Sequence, residues 1–345
     1  MRILTRLHVI SYQNMKNYAP VIAQEVEDWI ADWGDEGELD FMDEFLELTI
    51  HTATHCLLGK DFRDKMTAEF KTLYRDLEAG LQAIAFVDPY MQQPIFDRRD
   101  RARERLEEII TAMIDERRNS DIEYNDALAT FMTGTYADGS CLTSTEVTGL
   151  VIATIFAGHH TSSGTSTWML TELARHPKET AAIVEELNAI YQKDETLSHN
   201  ALREMPKMES FLNEVLRVHP PLVVLMRRVI NDIEFDGHAI PAGKTVAISI
   251  FGSHRNPEYF PNPEIFDPSR TEPETMFAYI PFGGGRHKCG GNAFALLQQK
   301  AIFSALLRRY SFEIVDQSDS YIDDLSGMVL RPKSPCRLRY KRRVS

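Results

Sequence analysis

Cysteine is scarce in this chain of 345 residues: there are four, Cys56, Cys141, Cys289 and Cys336. They are widely scattered and form no C-x-x-C pair, which excludes a zinc ribbon and a disulfide framework and speaks for a reducing compartment. No apolar run approaches a membrane span, and the opening Met1-Arg2-Ile3-Leu4-Thr5-Arg6 is too short and too charged for a signal peptide. Positive charge is in deficit, and a net charge of −13 argues against nucleic acid as a partner. Internal repeats, low-complexity tracts and Gly/Ser linkers are missing too. What is present is an ordinary globular composition, 43% hydrophobic and long enough to bury a large core. The expectation is one soluble domain over residues 1–345.

Helix-like apolar spacing runs through 21–33, 41–58, 67–81 and 98–118, so the first two-thirds reads as helical. The longest helix is the easiest to bound. Thr143 and Glu146 form a capping box, and the pattern continues to His176, where Pro177 follows. That is about 50 Å of helix, enough to cross a domain. Its middle reads Ala153-Thr154-Ile155-Phe156-Ala157-Gly158-His159-His160-Thr161-Ser162-Ser163-Gly164-Thr165. A helix in that position should be apolar all round. Here it carries two glycines, each costing about 1 kcal/mol relative to alanine, two histidines and a hydroxyl cluster. Such a stretch is where the hydrogen-bond ladder is expected to bend or open.

A second run stands out: Phe282-Gly283-Gly284-Gly285-Arg286-His287-Lys288-Cys289-Gly290-Gly291, with the polar-sparse stretch 292–307 behind it. Nearby positive charge and the amide end of a helix both favour an ionised sulfur. The glycines let the backbone approach something flat and large. A buried cysteine at an ordinary loop-to-helix junction is the plain alternative, but the whole ten-residue run is in place. A phosphate loop fails, because Lys288 is flanked by His287 and Cys289 where a Walker motif needs Gly before and Ser or Thr after.

The pattern F-x-x-G-x-[R/H]-x-C-x-G resembles the haem-thiolate signature of the cytochrome P-450 superfamily. There the cysteine is the axial ligand to the iron of haem b, iron protoporphyrin IX. The resemblance implies a mainly α fold, a helical bundle around haem with small β-sheets. It also implies a haem-binding role for Cys289, Phe282, Gly283, His287 and Gly291. The stretch Ala157-Gly158-His159-His160-Thr161 is similar to the family's groove over the distal face of the haem, where dioxygen binds. Thr161 would then be the proton-relay hydroxyl. His160 takes the place of an acid found in many members and resembles the sterol 14α-demethylase branch. For His159 a satisfied core role is expected. Glu214-Val215-Leu216-Arg217 puts a carboxylate and a guanidinium on one helix face. It resembles the family's E-x-x-R pair, with Arg270 as the third member of a buried network fixing the cysteine loop. In Leu222-Val223-Val224-Leu225-Met226-Arg227, which alternates like a strand, Arg227 would join His287 in holding the haem carboxylates. Leu222, Val224, Met226, Phe156, Ala157 and Met328 would line the substrate cavity; plain core packing explains each of them equally well.

The activity implied is oxygen-dependent monooxygenation. The expected substrate is sterol-like and apolar, with 14α-demethylation through three rounds, and a ferredoxin or similar donor supplies electrons. Another apolar lipid, such as a terpenoid or fatty acid, and a weakly haem-binding inactive remnant are the alternatives. Family members carry a further β-rich N-terminal part, so the resemblance, which runs from about Met15 to Tyr340, implies an N-terminally truncated relative of the bacterial, cytoplasmic, monomeric type. His51-Thr52-Ala53-Thr54-His55-Cys56 has metal-like spacing but no H-E-x-x-H glutamate, and core packing is the reading adopted. Arg337, Arg339, Lys341, Arg342 and Arg343 read as a solvated strand end or tail. Arg286, Lys288 and Lys300 are candidates for docking an acidic electron donor.

Overall fold

The computed structural model describes residues 12–343, apart from 81–87, 89, 137, 193–196, 272, 318–320 and 326–328, with only the backbone for 12–14. In chain order its elements begin with α1 (Tyr12–Trp29), β1 (Glu36–Asp40), α2 (Phe41–Leu58), α3 (Lys60–Asp64) and α4 (Ala68–Ala79). Next come α5 (Pro94–Arg118), α6 (Ala127–Met132), α7 (Ser144–Arg175), α8 (Pro177–Tyr191), α9 (His199–Arg203) and α10 (Pro206–Val218). The strands β2 (Val224–Arg228), β3 (Ile233–Phe235), β4 (His238–Ile240) and β5 (Thr245–Ser249) lead to the short α11 (Ile250–Ser253). The chain finishes with α12 (Asn292–Arg309), β6 (Tyr310–Ile314), β7 (Asp323–Asp324), β8 (Arg331–Pro332) and β9 (Arg337–Arg342).

The expected capping box is formed. Glu146 N–H donates to Thr143 Oγ1 at 3.3 Å while Thr143 N–H donates to Glu146 Oε2 at 2.8 Å. The helix stops at His176, and Pro177 occupies the first turn of α8, where its missing N–H costs nothing. The ladder, however, is not opened in the middle: α7 is continuous from Ser144 to Arg175. Its hydroxyls fold back onto carbonyls one turn earlier, Thr161 onto Ala157 (2.7 Å), Thr165 onto Thr161 (2.8 Å) and Thr167 onto Ser163 (2.8 Å). A hydroxyl satisfied by its own helix needs no gap in it.

α7 runs through the centre, with α2 alongside and α5, α6, α8, α10 and α12 packed around it. Ile155, Trp168, Met169, Leu170 and Leu173 are buried along it, each contributing about 1.5–3 kcal/mol. Asp40 caps α2 by accepting from Met42 N–H at 3.1 Å. That sets Phe41 and Phe45 into an aromatic cluster with Trp29, Trp33 and Phe303.

The C-terminal basic run is not a tail. Strand β9 is the middle strand of an antiparallel sheet, β1-β9-β6, in which Leu39 and Ile314 both lie opposite Leu338. Leu338 and Tyr340 point inward while Arg337, Arg339 and Lys341 point out, the two-residue alternation of a strand with one face buried. The remaining strands pair as β2–β5, β3–β4 and β7–β8. Asp236 and Gly237, both at positive φ, make the two-residue turn between β3 and β4. The expected class, mainly α with small sheets, is the one observed.

Candidate active site

Cys289 lies on an exposed loop just ahead of α12. The loop is tied by its backbone: Cys289 N–H donates to Phe282 O at 2.9 Å, and Gly283 N–H donates to Ile280 O at 2.9 Å. Gly283 and Gly285 sit at φ +67°, a conformation that strains any residue with a Cβ. A Cβ at Gly290 would meet nothing within 4 Å, so the surface beside the thiol is bare. The loop presents its sulfur instead of packing it.

Behind the loop lies the buried ionic network. Arg217, 2% exposed, donates through Nε and Nη2 to the two oxygens of Glu214 at 2.8 and 2.7 Å. The rest of its guanidinium is spent on the carbonyls of His254, Pro263 and Ile265. Arg270 Nε donates to Glu214 Oε1 at 3.2 Å, and Asp267 N–H reaches the same oxygen at 2.8 Å. The structure thus brings together all three residues expected there. It adds one the sequence did not reveal: His254, fully buried, whose Nδ1 pairs with Arg217 O at 3.2 Å and whose Nε2 accepts from Ile280 N–H at 2.9 Å. Burial pushes its pKa down to about 4.

On the other side, Ala153, Ala157 and Thr161 repeat at four-residue spacing and leave one stripe of α7 open. Thr161 and Thr165 share a cleft with Leu212, Leu216, Phe282 and Leu296. Phe282, which opens the cysteine run, therefore lies in the same cleft as the hydroxyl stretch. Phe156 is half-buried, edge-on to His160 with ring centroids 5.2 Å apart. His159 is a core residue, as expected, with Nε2 bonded to Leu46 O at 2.9 Å. His160 is hydrogen-bonded through Nε2 to Glu78 Oε1. Burial alone would raise Glu78, yet the two imidazoles beside it hold it down at about 2. Glu78 carries no sequence motif, and its partner lies 82 residues away.

Strand β2 divides the remaining candidates between its faces. Leu225 packs toward Gly283 of the cysteine loop, 3.4 Å from where a Cβ would stand, and Arg227 shares its face by the two-residue period. Val224 and Met226 share the opposite face, with Met226 61% exposed, and Leu222 lies just ahead of the strand. His287 is exposed in the turn before Cys289. Met328 lies outside the described residues. Lys300 is a correction: it is on the inner side of α12, 8% exposed and paired with Glu209 at 2.8 Å, so it offers no charge to a partner. Arg286 and Lys288 are exposed. His55 pairs with Glu25 (2.7 Å), which Arg63 also holds (3.1 Å), so that histidine belongs to a scaffold ion pair.

These residues suit an iron porphyrin. One presented thiol could ligate the iron, the cleft is lined by hydrocarbon, hydroxyl and amide, and Arg227 and His287 offer N–H donors for two carboxylates.

The comparisons agree with that chemistry. The cytochrome P450 family model matches residues 2–339, and the chain belongs to that family. It is therefore a haem-thiolate oxidoreductase of the monooxygenase type, with haem b as its cofactor. Its relatives narrow the branch. A sterol 14α-demethylase of Mycobacterium bovis is 43% identical over 344 residues, with 96% of this chain and 76% of that protein covered. A sterol 14-demethylase of Arabidopsis thaliana is 41% identical, covering 95% and 70%. A lanosterol 14-alpha demethylase of Homo sapiens is 33% identical, covering 97% and 67%. The sterol 14α-demethylases are thus the branch to which the chain is similar throughout. A solved structure described as retinoic acid bound cyanobacterial CYP120A1 shares the fold, with a TM-score of 0.88 and 24% identity over 99% of this chain and 78% of that one. Among the described residues no helix is long and apolar enough to cross a membrane.

Proposed function

We propose that this chain removes the 14α-methyl group of a sterol, with dioxygen and electrons from an external donor. The observation that carries this reading is that the Thr161 stretch of α7 and Phe282, at the head of the Cys289 run, line one cleft. Haem, when bound, supplies the iron at which dioxygen is activated, and a thiolate ligand favours O–O cleavage. Cys289 Sγ would ligate its iron, beside Phe282, Gly283 and Gly291, and Arg227 and His287 would hold its carboxylates. The Glu214–Arg217–Arg270 network keeps that loop in place.

Thr161 Oγ1, now donating to Ala157 O, needs only a rotation to turn its proton into the cleft. His160, next in sequence and tied to ionised Glu78, is the store that refills it. Phe156, Ala157, Leu222, Val224, Met226 and, beyond the described residues, Met328 exclude water and orient the sterol. Residues 1–345 act as one haem-binding domain and as a monomer in the cytoplasm. The exposed Arg286 and Lys288 face an acidic ferredoxin-like donor.

The test is spectroscopic and then chemical. A reduced sample treated with carbon monoxide should show the red-shifted thiolate Soret band, and a 14α-methyl sterol should perturb the oxidised spectrum. With donor and dioxygen the methyl carbon should leave as formic acid. A terpenoid or fatty acid binding in place of the sterol would move the reading to another apolar lipid. Absence of the thiolate band would end it.

A further inference from the structure

His159 and His160 are adjacent on α7, and successive side chains of a helix normally diverge by about 100°. Here both rings turn to the same partner. Their centroids are 4.4 Å apart with 38° between the planes, His160 is bonded to Glu78 Oε1, and His159 Nδ1 lies 3.5 Å from that same oxygen. One ligand-type atom from each of Glu78, His159 and His160 lies within 4.8 Å of the others.

The His159 contact is the informative one. Its Nε2 meets the carbonyl oxygen of Leu46 at 2.9 Å, and a carbonyl only accepts, so the ring proton is on Nε2. Nδ1 is buried, makes no hydrogen bond and lies 3.5 Å from that carboxylate oxygen. With the ring proton spent on Leu46, Nδ1 and that oxygen need a cation between them, a second proton or a metal ion. Tyr74, one turn before Glu78 on α4 and with its ring 5.9 Å from that of His159, also has a buried hydroxyl without a partner. Burying a polar atom without a partner is unfavourable, and two such atoms lie near one carboxylate.

We propose that Glu78, His159 and His160 form a site for a borderline divalent metal ion such as zinc, separate from the haem site. Two imidazole nitrogens, one carboxylate oxygen and an open fourth position are a common zinc set, whereas magnesium and calcium prefer oxygen alone. The carbonyl of Leu46 behind His159 is the outer partner that fixes a metal-binding imidazole in its tautomer. A tetrahedral zinc ion holds its ligands about 3.3 Å apart, so small side-chain rotations complete the site. Occupancy takes His160 away from Glu78. Loss of proton supply to Thr161 would follow, a consequence that rests on the function proposed above; the binding itself does not.

The experiment is zinc binding to the haem-loaded full chain, by equilibrium dialysis with metal analysis and without turnover. One zinc per chain is expected, unaffected by excess magnesium. Glu78→Gln and His159→Asn should each weaken it at least tenfold, while His238→Gln, on the exposed β3–β4 turn, should leave it unchanged. Crystals soaked in zinc provide a second readout that needs no variant: an anomalous peak among the three side chains supports the site. No stoichiometric zinc, binding indifferent to both replacements, or peaks only elsewhere would overturn it. Because no substrate is involved, a failure here leaves the sterol reading standing, and the reverse also holds.

Discussion

His254 Nε2 accepts the backbone N–H of Ile280 at 2.9 Å, while its Nδ1–H donates to Arg217 O at 3.2 Å. A neutral imidazole thus links the buried ionic network to the chain that leads into the cysteine loop. Accepting at Nε2 requires that nitrogen to stay unprotonated, which agrees with a pKa pushed by burial from 6.5 to about 4. In the unfolded chain the ring takes its proton near 6.5. The contribution of this group is therefore complete above that value and is lost as pH falls toward 4, by up to about 3 kcal/mol. Urea midpoints measured from pH 7 to 4 should fall less steeply for His254→Gln than for the parent; parallel slopes would contradict the linkage.

Arg217→Leu leaves the Glu214 carboxylate in a buried site with only Arg270 and the Asp267 amide as partners. Removing one member of a buried pair costs about 3–5 kcal/mol. The expected result is loss of haem per chain, read from the ratio of Soret to protein absorbance. Full haem content with merely weaker sterol binding would show that the network is not what holds the loop.

Thr161→Ala should lower sterol turnover by on the order of 100-fold, the usual weight of a positioned proton donor. Sterol binding should change little. Thr161→Ser keeps the hydroxyl and should recover most of the rate. The measurement is product formed per electron consumed, since a missing proton step diverts electrons into uncoupled reduction of dioxygen.

Lys288→Glu and Lys300→Met should separate docking from packing. Lys288 is exposed, so reversing its charge should raise KM for an acidic donor several-fold at low salt and less at high salt. Lys300 is bonded to Glu209 and 10% exposed at its side chain, so its replacement should lower thermal stability and leave the KM for donor alone.

Gly164→Ala tests the seam between α7 and β8. A Cβ there would come within 2.9 Å of Leu330 O and 3.4 Å of Arg331 Cβ. Alanine normally gains about 1 kcal/mol over glycine in a helix, so a loss of stability in chemical denaturation would mark the steric cost as the larger effect. Overpacking of this kind costs about 1–3 kcal/mol.

Much of this architecture was legible because its signals are local. The Thr143–Glu146 cap, the bounds of α2 and the pairing of Glu214 with Arg217 follow from spacing within a few residues, and the Cys289 run is long enough to stand by itself. What was hidden depends on tertiary pairing. Strand β1 reads Glu-Gly-Glu-Leu-Asp and has no strand propensity; β9 supplies the partner that makes it one. The basic run reads as a solvated strand end or tail; that it is the middle strand is concealed by its charge, since only two side chains point inward. Neither Glu78 nor His254 announces its role, because each acts through atoms far off in sequence. Lys300 looked like surface because lysine usually is; Glu209 on the facing helix α10 makes its burial tolerable.

The placement of β9 at the centre of its sheet also sets a timetable. Its neighbours β1 and β6 are both made earlier, and at ribosomal rates of roughly 5–20 residues per second β1 waits on the order of 15–60 s for the strand that joins it. During that interval the edge of β1 lies open in the growing polypeptide, available to chaperones, and β6 joins it only shortly before β9. Closure of this corner waits for β9, and a nascent chain stalled before Arg337 would carry an unfinished seam.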